Sequence, residues 1–190
     1  MSLGMNCREF FESSKGDQEY CKKLQLISMA EQVAWESETA SAYSPAPVED
    51  HEVLCRQVLD PTHFDKVTQT ITPNFFDDAS SRGASCHRLG ATTLDAVKQI
   101  ALNRVNEVNK CPPSTGPRIL IGFTTIKASE VRAIMTSEPD PKRGAGVYDT
   151  GKADDFSHSD ICQLVSSKQH GRSIRAQLFL LAKNRLEEFP

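Results

Sequence analysis

The run from Arg118 to Ile126 (Arg-Ile-Leu-Ile-Gly-Phe-Thr-Thr-Ile) most constrains what this chain can fold into. It is rich in β-branched residues and apolar at consecutive positions, and it is far too short to cross a membrane. It therefore reads as a strand with both faces covered, central in a sheet. Just upstream, Leu94, Val97, Ala101, Val105 and Val108 recur at helical spacing. Thr92 and Asp95 form a capping box ahead of them, and Cys111-Pro112-Pro113 stops the helix.

The other elements are shorter. Val53 to Leu59 is a strand ended by Asp60-Pro61. Val67, Gln69 and Ile71 alternate with threonines, and Ala84 to Leu89 alternates as a further short strand. A short helix is expected around Ser129 to Met135. Residues 137–157 read as a long polar loop with an extended piece at Gly146-Val147-Tyr148. Ser157-His158-Ser159-Asp160 has the form of a capping box opening a helix through Ile161, Leu164 and Val165, broken at Gly171. Ser173 to Glu188 is the last helix, with Ile174, Leu178, Leu181 and Arg185 on one stripe and apolar residues nearly all round. Strands and helices do not alternate strictly. The expected class is α+β, a single domain with a small mixed or mostly antiparallel sheet packed by helices.

Ahead of this body, Tyr20, Leu24, Ile27 and Ala34 suggest one helix from Asp17 to near Tyr43, ended by Ser44-Pro45-Ala46-Pro47. The expected division is an acidic helical segment and linker over residues 1–46 and an α+β domain over 47–190. Charge follows a similar boundary. Residues 1–52 hold ten acids and four bases, and residues 53–190 hold fifteen acids and eighteen bases. An overall net charge of −3 argues against general nucleic-acid affinity but leaves a nucleic-acid end open as a ligand. The six cysteines, at 7, 21, 55, 86, 111 and 162, contain no Cys-x-x-Cys pair. Together with the lack of a signal-like start or an apolar span, they suggest reduced thiols, a cytoplasmic protein and no membrane partner.

The densest chemistry lies in Ser80-Ser81-Arg82-Gly83-Ala84-Ser85-Cys86-His87-Arg88. Arg82 and Arg88, with Arg175 of the last helix, are candidate anion clamps, because guanidinium forks match phosphate and stay charged. Their competing role is internal pairing with Asp149, Asp154 or Asp155. His87, and His158 at its expected helix start, are candidate proton donors or acceptors near neutral pH. Tyr148 is the candidate to orient or stack on the ligand. Strand alternation puts Ser85 with His87 on one face and Cys86 with Arg88 on the other, so Cys86 and His87 are not one site. Asp149, Asp154, Asp155, His158 and Asp160 resemble an oxygen-rich loop but lack EF-hand spacing, so no metal and no cofactor are expected.

Two functions follow. One is a protein that binds, and acts on, a phosphate-bearing small molecule or nucleic-acid end through this Arg/His cluster. The other is a non-catalytic interaction protein, a homo-oligomer through residues 17–43. The second reading expects deletion of residues 1–46 to abolish association and leave the body folded.

Overall fold

The computed structural model describes residues 4–137 and 139–190. Three short helices come first, α1 (Cys7–Ser13), α2 (Tyr20–Leu24) and α3 (Met29–Trp35). There follow β1 (Val53–Asp60), a two-stranded ribbon of β2 (Phe64–Asp65) and β3 (Thr70–Ile71), a 3₁₀ turn (Asp77–Ser80) and β4 (Ala84–Arg88). The chain continues with α4 (Leu94–Asn109), β5 (Ile119–Lys127), α5 (Ala128–Arg132), β6 (Ala145–Tyr148), β7 (His158–Gln163) and α6 (Lys168–Ala182). The main sheet has five antiparallel strands in the order β5-β1-β4-β7-β6. The architecture is thus α+β in one domain.

One face of the sheet carries the larger core. Leu54, Val58, Cys86 and Ile161 pack there against Ile174, Leu178 and Ala182 of α6, with α5 alongside. On the opposite face two separate groups of helices sit side by side. The N-terminal helices cover Tyr148, Cys162 and Leu164, burying Phe10, Phe11, Tyr20, Leu24 and Trp35. At the other end α4 places Val97 on Cys55 and Phe123. The middle of this face, on β1, β4 and β7, lies between the two groups.

Several expectations change. The segment 158–163 is a strand between β4 and β6, not a helix. Its capping box is a local signal worth about 1 kcal/mol, and pairing with strands on both sides outweighs it. The strand β5 is at the sheet edge, not the centre. Its inner part is covered because the C-terminus returns along it: Glu187 pairs with Phe123 through the backbone, and Phe189 packs on the Phe123 ring at 4.9 Å, while Ile119 at the outer end stays exposed. The last helix starts at Lys168 and runs through Gly171, which has no side chain to meet Gln163; an added Cβ would lie 2.7 Å from Gln163 Nε2. Thr93, not Thr92, caps α4, accepting the Ala96 N–H at 3.2 Å.

The single helix expected from Asp17 to Tyr43 is replaced by two short ones, α2 and α3, and α1 precedes them. Gly16 turns the chain between α1 and α2 with φ +83°, and Ser28 caps α3. These turns let Tyr20, Leu24, Ile27 and Trp35 all reach the sheet, which a straight rod could not do. Buried Gln32 locks the corner, donating to Leu24 O (2.8 Å) and Ile27 O (3.1 Å) and reaching Leu164 O (3.3 Å). Glu36 accepts from Val147 N–H at 2.7 Å and pairs with Arg132 at 3.0 Å and Arg143 at 2.5 Å.

The segment expected as a docking element therefore packs on its own sheet. Deleting residues 1–46 would expose Tyr148, Cys162 and Leu164. The expected outcome is loss of a cooperative urea transition rather than a folded body. Trp35→Ala should cost about 3–5 kcal/mol in the intact chain, measured by the same titration.

Candidate functional site

The uncovered middle of the second face is the floor of a cleft of about 760 Å³. Its floor is set by strand pairing. Ser85 lies opposite Asp160, and His87 opposite His158, across β4 and β7. Side chains alternate along each strand, so all four share this face while Ala84, Cys86 and Ile161 enter the core below. Gln57 of β1 completes the floor beside His87. Gly83 makes the approach to β4 possible. Its φ is +76°, and a Cβ there would strike the Tyr20 hydroxyl and lie 2.8 Å from Asp160 Cβ.

The two imidazoles stand at right angles with centroids 6.3 Å apart, each 2% exposed. They are held differently. His87 Nδ1 faces the Asp155 carboxylate at 3.2 Å, and its Nε2 meets the Gln57 side-chain amide nitrogen at 2.9 Å. A proton on Nδ1 and an acceptor lone pair on Nε2 satisfy both contacts. Ser157 also donates to Asp155, at 2.8 Å. Burial opposes the charged Asp155, yet hydrogen bonding and charge from His87, with Ser157, hold its pKa at about 2.

His158 is anchored by Thr150. The Thr150 hydroxyl donates to Asp160 Oδ2 at 2.7 Å, so its oxygen accepts from His158 Nδ1 at 2.9 Å, with the Thr150 carbonyl at 3.1 Å. This fixes the proton on Nδ1 and the lone pair on Nε2. That Nε2 has no hydrogen-bond partner among the described residues. Burial, reinforced by the Lys152 and His87 charges and opposed by Asp160 and Asp155, lowers the His158 pKa to about 4. The imidazole is neutral at pH 7.

Cations surround this floor. Arg56, in line with Leu54 and Val58 of β1 rather than with Gln57, borders the cleft, its NH2 on Asp78 Oδ2 at 2.8 Å and its guanidinium over the Phe75 ring at 4.9 Å; it is 5% exposed and its Nε is unpartnered among the described residues. Arg118 stands where its backbone is clamped by Asn109, with both hydrogen bonds at 2.8 Å. Arg82 reaches Gln18 Oε1 at 3.3 Å. His63 sits among the three guanidiniums; burial first, then Arg56, Arg118 and Arg82, drive its pKa down to about 3. Arg104, Lys15 and Lys152 line the remaining walls.

Of the residues expected from sequence, Arg82, His87 and His158 come together here. His158 does so from a strand rather than from a helix start. Arg88, Arg175 and Tyr148 do not join them. Arg88 is buried against Glu52 (2.6 and 2.8 Å) and holds the Ala46 and Pro47 carbonyls, tying the linker to the sheet. Arg175 lies on the α6 face, bonded to Asp77 and to Gln163, both at 3.0 Å. Tyr148 is enclosed by the N-terminal helices, its hydroxyl donating to Gln32 O at 2.9 Å and its ring 4.9 Å from Phe11. The acidic loop is divided. Asp155 serves His87, and Asp149 accepts from Ala40 N–H at 2.6 Å. No group of three potential metal ligands gathers among the described residues.

Sequence reading missed Arg56, Gln57, Arg104, Arg118 and Lys152 as site residues, and named Asp155 only as an arginine partner or loop carboxylate, not as the partner of His87. Arg56-Gln57 carried a signal, two polar residues inside an otherwise apolar strand. Arg104, Arg118 and Lys152 had none, being brought in by loops and a helix face. No family model, curated protein or solved structure matches the chain.

The His158 pKa makes a pH dependence measurable. A histidine at about 4 when folded and roughly 6.5 when unfolded binds its proton first in the unfolded chain. Its stabilising contribution is full above pH 6.5 and falls as pH drops toward 4. Between pH 7 and pH 5 the loss at this residue should be on the order of 2 kcal/mol. Denaturant titrations of wild type and His158→Asn should show that much of the pH dependence removed in the variant, whatever its absolute stability.

Proposed function

We propose that this cleft binds a phosphate-bearing small molecule, and that His87 and His158 are the groups that exchange protons with it. The observation that carries this is an accumulation of unpaired cations over a floor with an unfilled hydrogen-bond acceptor. Arg56, Arg88, Arg132, Arg143, Arg175 and Arg185 all have carboxylate partners. Arg82, Arg104 and Arg118 have none within 4.0 Å among the described residues, nor do Lys15 and Lys152, and all five line the cleft. In a chain of net charge −3 such a local excess favours an anion. Guanidinium forks suit phosphate oxygens in particular.

The histidines suit proton exchange in complementary ways. The carboxylate behind His87 accepts its Nδ1 proton and orients the ring, whereas the carbonyl behind His158 leaves a neutral ring with its lone pair available. The volume falls within the range of small-molecule sites.

Thermal shift and calorimetry with pyrophosphate, ribose 5-phosphate and nucleoside monophosphates test this reading. A compound at a hundred times its Kd should add roughly 2.7 kcal/mol to stability. The double variant Arg82→Gln, Arg118→Gln should bind about tenfold or more weakly while unfolding as the wild type does without ligand. Absence of binding by every phosphate compound, or unchanged affinity in the double variant, would falsify it.

A further inference from the structure

We infer that the ligand is a nucleoside phosphate, with its base on Tyr43, a ribose hydroxyl on His158 Nε2 and its phosphate on Arg82 and Arg118; this rests on the phosphate-binding reading above. Two features of the cleft, and the loop that joins them, converge on that class.

The first is the floor's hydrogen-bond polarity. His158 Nε2 accepts and does not donate, because its ring proton is committed to Thr150. A ligand with an O–H or N–H apart from its anionic group supplies the donor for this acceptor whatever the protonation of its phosphate, and a sugar phosphate has one.

The second is an aromatic platform. Tyr43 lines the cleft and is 50% exposed, unlike Tyr20 and Tyr148, which are buried. Its turn is nonetheless firmly fixed. Ser41 Oγ donates to Gly151 O at 2.6 Å and accepts the Tyr43 N–H at 3.2 Å. Next in the chain, Ser44 donates to the Asp149 carbonyl and accepts the Gly151 N–H at 3.0 Å. An exposed ring on a segment pinned from both sides is preorganised for a flat partner. Lys15 touches this ring with its ammonium 5.6 Å from the centroid, near the outer limit of a cation–π contact. A base covers more of the ring and leaves Lys15 to the phosphate.

The two are joined. The loop that pins Tyr43 is the loop whose Thr150 orients His158 and Asp160. Platform and acceptor are thus held by one structural unit, while Arg82 and Arg118 come from other elements of the cleft wall. Base, sugar and phosphate each have a distinct place.

Calorimetric titration of the full chain with the four common ribonucleoside 5′-monophosphates, ribose 5-phosphate and pyrophosphate tests this assignment. At least one nucleotide should bind about tenfold or more tightly than ribose 5-phosphate. Tyr43→Ala should abolish that advantage without changing ribose 5-phosphate affinity, and Tyr43→Phe should retain it. The 2′,3′-dideoxy form of the best nucleotide should bind about tenfold more weakly, through loss of the donor to His158. If ribose 5-phosphate binds as tightly as every nucleotide, or Tyr43→Ala leaves the nucleotide advantage intact, or the dideoxy form binds equally well, the nucleoside assignment is overturned. In those cases the phosphate-binding reading still holds if the Arg82/Arg118 double variant loses affinity. Failure of all six compounds to bind overturns both.

Discussion

Pairing of β4 with β7 is the constraint on which the rest of the molecule depends. The register Ser85–Asp160 and His87–His158 determines what each face of the sheet offers. Downward, Ala84, Cys86 and Ile161 give α6 an apolar surface. Upward, four polar side chains are set against one another at strand spacing. A slip of one residue would exchange these sets, putting histidines under α6 and cysteine into the cleft. The hydrophobic demand of one face therefore fixes the polar geometry of the other.

Buried polar groups on such a floor need partners, and the chain supplies them from loops. Asp155 backs His87, and Thr150 backs both His158 and Asp160. The N-terminal helices then build one wall of the cleft and close the apolar end of this face over Tyr148 and Cys162. Their acidity has a structural counterpart in the body's bases. Glu36 meets Arg132 and Arg143, and Glu52 meets Arg88. These pairs engage Arg88, Arg132 and Arg143 away from the cleft, whereas Arg82, Arg104 and Arg118 line it without a carboxylate partner among the described residues.

Much of the fold was legible because it is written in short-range periodicity. Val53–Leu59, Ala84–Arg88, Leu94–Val108 and Gly146–Tyr148 all fall on elements of the types their patterns suggest. The failures have one character. At Ser157–Asp160 a local capping signal lost to pairing with two neighbouring strands. At Ile119–Lys127 apolar residues on both faces suggested a central strand, but the returning C-terminus provides cover at an edge. Between Asp17 and Tyr43 the apolar spacing was real, although turns divide the segment because its residues follow the sheet rather than a rod. For the site, Arg82, His87 and His158 were legible as residue types. Arg88, Arg175 and Tyr148 have equally suitable side chains and different surroundings.

The sequence by itself determined the class of the fold, most of its strands and the alternation that separates Ser85 and His87 from Cys86. Those are properties of neighbouring residues, set by backbone sterics and by the need to bury apolar side chains. Only the tertiary structure decided that His158 stands beside His87, that Asp155 and Thr150 fix their protons, and which arginines remain unpaired. Charge pairing and proton placement depend on distances between segments remote in the chain, and such distances exist only once the sheet has closed.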